Sequence, residues 1–157
     1  MADEKLLNQA QKVYQTICKA MDEDGWKCQK DDENLVIETN AQGDGLPIKL
    51  FIDVDAERQI VQMLSRLPIK IPDDRRLDAA LAVCAVNDKL AHGCFDFSVE
   101  KGTLFFRMSS SFRDSDMDGE AYLYMLYISC RTIDKYSDKF FMLGKGLLTV
   151  EKFLETM

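Results

Sequence analysis

A chain of 157 residues, 46% apolar and 30% charged, has ordinary globular composition and is read as one domain over 1–157, long enough to bury roughly 68–70% of its unfolded surface. Its formal charge of −7, with basic residues scattered among acidic ones (Arg75-Arg76 directly follows Asp73-Asp74), excludes nucleic acid and anionic membrane as partners, because both call for clustered Lys and Arg. The longest apolar window, Phe140 to Val150, is interrupted by Lys145 and falls short of the ~20 residues of a membrane span, and the acidic start carries no secretory h-region, so a cytoplasmic location is expected.

The first element predicted is a helix, with Leu6, Leu7, Ala10, Val13, Tyr14, Ile17 and Met21 at helical spacing and Gly25 as its left-handed stop. Two short strands follow, Trp26 to Gln29 and Leu35 to Thr39, with a polar turn between them. The clearest strand is Leu46 to Val54, where Ile48, Leu50, Ile52 and Val54 alternate with Lys49, Phe51 and Asp53. A turn at Asp55 to Arg58 leads into a strand from Gln59 to Leu67, and Pro68 and Pro72 are expected to break the sheet.

A second helix is predicted from near Asp73 to about Ala91, apolar on more than one face and therefore buried on both sides, with His92 in its last turn and Gly93 as its stop. A second hairpin pairs Cys94–Val99 with Thr103–Phe112 through Glu100-Lys101-Gly102. A third helix, about Gly119 to Ser137, carries Tyr122, Met125, Leu126, Ile133 and Tyr136, and a short last helix carries Val150, Phe153 and Leu154. Helix, four strands, helix, two strands, helix is an α+β order: an antiparallel sheet with helices on one face.

Chemical motifs are few. Asp114, Asp116, Asp118 and Gly119 resemble the start of an EF-hand loop, but counting from Asp114 puts Met125 where the bidentate glutamate belongs, and the incoming element reads as a strand. Capping of the third helix by Asp116 or Asp118 accounts for these residues without a metal. His92 is the lone histidine; a dyad with Cys94 is conceivable, and a helix C-terminal role for His92 is simpler. No phosphate loop, nucleophile elbow or ligand cluster emerges, so no catalytic, cofactor or metal site is assigned and an enzyme is not expected. The five cysteines form an odd set without C-x-x-C spacing and read as reduced thiols, with Cys18, Cys84 and Cys130 as apolar filler inside helices.

Aromatic residues stand on the nominally polar sides of the hairpins. Phe51 shares its side with Lys49 and Asp53, and Phe105 shares its side with Thr103 and Arg107. Either a terminal helix or turn covers them, or they line a groove for an apolar segment or a second subunit. Phe51, Phe105 and Arg107 are the candidate protein-binding residues. The acidic balance suits a protein that handles polypeptides of positive or mixed charge.

The run L-D-A-A-L-A-V-C-A-V-N-D-K-L-A-H-G-C-F-D-F-S-V-E-K-G-T-L-F-F-R-M-S places Asn87 near a helix end, Gly93 and Phe95 at a strand start and Gly102 in a tight hairpin. Preceded by Gly45-Leu46-Pro47 and I-K-L-F-I-D-V-D, it resembles the YbjN-type family of bacterial sensory transduction regulators over roughly Trp26 to Ser137. It is also similar in pattern to the class I type III secretion chaperones. The resemblance implies a small acidic α+β protein, a homodimer without a catalytic site or cofactor, whose chaperone-like fold holds extended segments of a polypeptide partner against sheet and helix surfaces. On the same view Asn87 ties the helix end to the neighbouring strand. The tail beyond Tyr136 is longer than a closing helix requires; packed over the sheet it would fill the groove, and packed elsewhere it would leave the groove open. The alternative function is a small-molecule or ion sensor using the interior between sheet and helices.

Overall fold

A computed structural model describes residues 3–115 and 117–157. Its elements in chain order are α1 (Glu4–Glu23), β1 (Cys28–Asp31), β2 (Val36–Ala41), β3 (Ile48–Asp55), β4 (Ile60–Lys70), a single 3-10 turn (Asp73–Arg75), α2 (Arg76–Lys89), β5 (Cys94–Ser98), β6 (Thr103–Ser111), α3 (Gly119–Gly144) and α4 (Val150–Glu155). The α+β order expected from periodicity is present. The six strands form one antiparallel sheet in the order β1-β2-β3-β4-β6-β5.

Strand alternation decides where the core lies. Ile48, Leu50, Ile52 and Val54 on β3, Val61, Met63, Leu67 and Ile69 on β4, and Leu104, Phe106 and Met108 on β6 are all buried beneath the helices. From above them α1 contributes Ala10, Val13, Ile17 and Met21, and α3 contributes Tyr122, Leu126, Ile133 and Phe140. At 26 residues, α3 is about 39 Å long and packs on β3, β4 and β6. Gly25 does end α1 in the left-handed conformation: Trp26 N–H bonds Met21 C=O at 2.9 Å and Gly25 N–H bonds Asp22 C=O at 3.2 Å.

Several expectations need correction. β4 does not stop before Pro68 but continues to Lys70, because its pairing with β3 has already ended at Phe51↔Leu64 and Pro68 falls at the irregularity between Arg66 and Lys70 in the β4–β6 ladder. The second helix ends at Lys89, so His92 lies beyond it and Gly93 is not its stop; Gly93 instead lets the chain pass close to Phe106 before β5. Only one side of α2 is buried (Ala79, Ala82, Val83, Val86). Leu77, Leu81 and Cys84 are exposed, so Cys84 is not core filler. Leu7 is 41% exposed rather than part of the core stripe. Gly144 lies inside α3, where a Cβ would come within 2.9 Å of the Ile71 side chain, and the helix therefore runs seven residues beyond Ser137.

The tail takes the second of the two placements. Phe153 of α4 is fully buried with its ring 5.1 Å from that of Phe140, and α4 packs on α2 and α3. It stays on the helix side, and the opposite face of the sheet is not covered by it.

Candidate functional site

The uncovered face is assembled from the residues between the buried ones. The strand registers place Glu38, Phe51, Leu64, Arg107 and Cys94 in one row across β2, β3, β4, β6 and β5. The next row holds Asn40 and Lys49 on β2 and β3 and Arg66, Phe105 and Asp96 on β4, β6 and β5. The three residues singled out from the sequence, Phe51, Phe105 and Arg107, therefore share this face. Phe51 and the β6 pair stand two strands apart, about 9–10 Å, and Leu64 and Arg66 of β4 fill the space between.

Arg107 is the most constrained of the three. Its Nε lies 2.7 Å from Asp96 Oδ2 and its Nη2 lies 3.2 Å from Asp96 Oδ1, a two-pronged pair that leaves its second function to Cys94 Sγ at 3.6 Å. The Asp96 carboxylate holds the guanidinium pKa above its ordinary value. Burial, with Asp96 adding to it, also raises that of the Cys94 thiol. Lys49 is likewise engaged, 2.7 Å from Glu38 Oε1 and 5.2 Å above the Phe51 ring. Arg66 differs. Its guanidinium sits 6.0 Å over the Phe105 ring, and among the described residues no carboxylate pairs with it.

A cleft of about 760 Å³ opens beside this row. It exists because β3 and β4 part beyond Phe51↔Leu64, so that Pro47, Ile48, Lys49 and Phe51 form one wall and Arg66 and Pro68 the other. Asn40, Ala41 and Gln42 close its end. That end is anchored to the helix layer: Gly45 N–H donates to Asp134 Oδ1 at 2.8 Å, and Gln42 Nε2 bridges back to Gly45 O at 3.1 Å. A Cβ at Gly43 would meet the Asp134 carboxylate at 2.3 Å, so any side chain there would displace the carboxylate that holds Gly45. Sequence reasoning missed Arg66, Pro47 and Pro68. The alternation Gln62, Leu64, Arg66 carried the signal, but ending the strand at Leu67 set the prolines aside.

The other candidates separate. Asp118 is the N-cap of α3, accepting from Ala121 N–H at 3.0 Å, as the capping account expects, and the incoming element is the strand β6. Asp114 sits in the preceding turn with φ 52°, and Asp116 lies outside the described residues. The His92–Cys94 dyad is not formed: His92 packs edge-to-face on Tyr124 of α3 at 5.8 Å, whereas Cys94 turns to Asp96 and Arg107 on the outer face. Asn87 does join helix to strand, its Nδ2 donating to Phe95 O at 2.9 Å and its Oδ1 accepting from Phe95 N–H at 2.8 Å. Among the described residues no helix is long and apolar enough to cross a membrane.

The model of a family described as "YbjN: Putative bacterial sensory transduction regulator" matches residues 14–142. The chain belongs to the YbjN family. Its fold is that of the crystal structure of YbjN from E. coli, at TM-score 0.58 and 14% identity over 78% of this chain and 87% of that one. It is also shared with a chain of the HopA1–SchA chaperone–effector complex (TM-score 0.53, 12% identity, 84% and 97% covered). A chain of the ExsC–ExsE complex gives TM-score 0.52 at 12% identity, with 81% and 92% covered. No curated protein matches the chain in sequence. α4 and the loop before it fall beyond the matched residues.

Proposed function

We propose that this YbjN-family protein is a non-catalytic regulatory or chaperone-like protein, acting as one cytoplasmic domain that binds a polypeptide across the uncovered sheet face. The observation that carries the reading is the row Phe51–Leu64–Arg107 with Phe105 beside it: partly buried side chains, apolar at Phe51, Leu64 and Phe105, on a face that neither the helices nor the tail covers. The family description and the fold shared with chains of two partner-bound complexes support the same class. The interior gives less support to a small-molecule sensor. The crevice among Ile17, Met21, Ile52, Met63, Tyr122 and Leu126 has no room for even a water-sized molecule, against the ~300–1,000 Å³ of usual ligand pockets.

A homodimer belongs to the proposal, and its support is a second apolar surface on the helix side. Leu77 and Leu81 are 77% and 59% exposed one turn apart on α2. Leu147, 70% exposed, follows Gly146, against which the Arg75 side chain lies just before α2. Native mass spectrometry of the gently purified protein tests both parts: the expected species is a dimer carrying a polypeptide that is lost in Phe51→Asp and Phe105→Asp proteins of unchanged melting temperature. Retention of that polypeptide by both variants would refute the sheet-face reading.

A further inference from the structure

We infer that the cleft between β3 and β4 takes an extended segment in which one carboxylate side chain stands among apolar residues, with Arg66 as its counter-charge; this rests on the polypeptide-binding reading above. The cleft lining is apolar at Pro47, Phe51 and Pro68, and its charged members are Lys49 and Arg66, with no Asp or Glu among them. That is a local reversal in a chain of charge −7. The partner of positive or mixed charge suggested by overall charge is therefore not the one this cleft complements.

The cations of the face are not equivalent. Glu38 neutralises Lys49 and Asp96 neutralises Arg107 in two-pronged fashion, while Arg66 lies over the Phe105 ring and pairs with no carboxylate among the described residues. At 6.0 Å from the ring centroid the Arg66 guanidinium is at the edge of cation–π reach, and its planar set of N–H donors is of the kind that a carboxylate can meet with two parallel hydrogen bonds. A phosphate group would call for several unpaired cations or a nest of backbone N–H groups, and a single unpaired guanidinium offers neither. The parted strands leave room for a chain segment, and Pro68 has no N–H to continue the ladder into it.

The test selects short random peptides against the immobilised full chain and measures the enriched peptides by fluorescence anisotropy. The expected peptides carry Asp or Glu flanked by apolar residues. Replacing that acid with its amide weakens binding about tenfold (about 1.4 kcal/mol). Arg66→Gln in the protein does the same, and the two changes together cost no more than either alone. Arg66→Glu should bind a peptide whose acid is changed to Lys better than the original, a gain that loss of folding cannot imitate. Enriched peptides that require Phe51 yet are indifferent to Arg66→Gln overturn the carboxylate inference and leave the sheet-face reading standing. Peptides indifferent to both Phe51→Ala and Arg66→Gln, or no enrichment at all, overturn both.

Discussion

Replacing Asn87 with leucine removes a side-chain amide that pairs with both the N–H and the C=O of Phe95, at 2.8 and 2.9 Å, in a partly buried setting at the sheet edge. Leucine has nearly the same shape, so the cost is the two hydrogen bonds and not a cavity. At about 0.5–1.5 kcal/mol net for each, plus part of the penalty for leaving the two strand groups unpaired, the loss is about 2–3 kcal/mol. A chain of this size loses about 2–4 °C of Tm per kcal/mol, so the melting temperature should fall about 4–12 °C. Urea unfolding followed by far-UV circular dichroism measures the free energy directly. The Asn87→Asp variant supplies a signed control: its carboxylate keeps the acceptor for Phe95 N–H but faces the Phe95 carbonyl without a donor. Its deficit should shrink as pH falls and the acid regains a proton to donate. An Asn87→Leu protein within about 0.5 kcal/mol of the parent would refute the reasoning, because that is the range of changes that touch nothing structural.

Three further outcomes follow from particular side chains. Burial, then the neighbouring Asp55, raises the Asp53 pKa above its ordinary value. The folded state then holds its proton more tightly than the unfolded chain, so stability falls as pH rises through that window and stays lowered above it; Asp53→Asn should raise the urea midpoint at neutral pH and have no effect once pH is well below the ordinary carboxylate range. Alkylation by iodoacetamide at pH 7.5 followed by peptide mapping should label exposed Cys84 first and Cys130 last, since burial pushes the Cys130 thiol up to about 11; rapid labelling of Cys130 in the folded protein would contradict its placement. Asp134→Ala should speed hydrogen exchange at the Gly45 amide and weaken binding of cleft-selected peptides while leaving Tm within a few degrees, whereas unchanged exchange would show that Asp134 does not anchor the loop.

What the sequence made legible was whatever one period could carry. The alternation through Ile48 to Val54 gave β3 its faces, and the 3-and-4 spacing from Ala10 to Met21 gave α1 its buried stripe. α2 was opaque because Ala, Leu and Val surround it, and only tertiary packing decides that Ala79 and Val83 turn inward while Leu77 and Leu81 do not. Gly144 reads as a turn until Ile71 is seen to need the space its missing Cβ leaves. At the candidate site, Phe51 and Phe105 were singled out because aromatics on a polar face break the alternation rule, and Arg107 because it shares the side of Phe105. That Arg66 of β4 lies over Phe105 of β6 depends on which strands are neighbours, and chain order does not disclose that β6 lies between β4 and β5.

The central claim is that the uncovered sheet face binds polypeptide, and amide chemical-shift mapping of an enriched peptide on the isotopically labelled protein tests it most directly. The account predicts shifts at Lys49 and Phe51 of β3, Leu64 and Arg66 of β4 and Phe105 of β6, with the helices unmoved. Shifts gathered instead at Leu77, Leu81 and Leu147 on the helix side would contradict it.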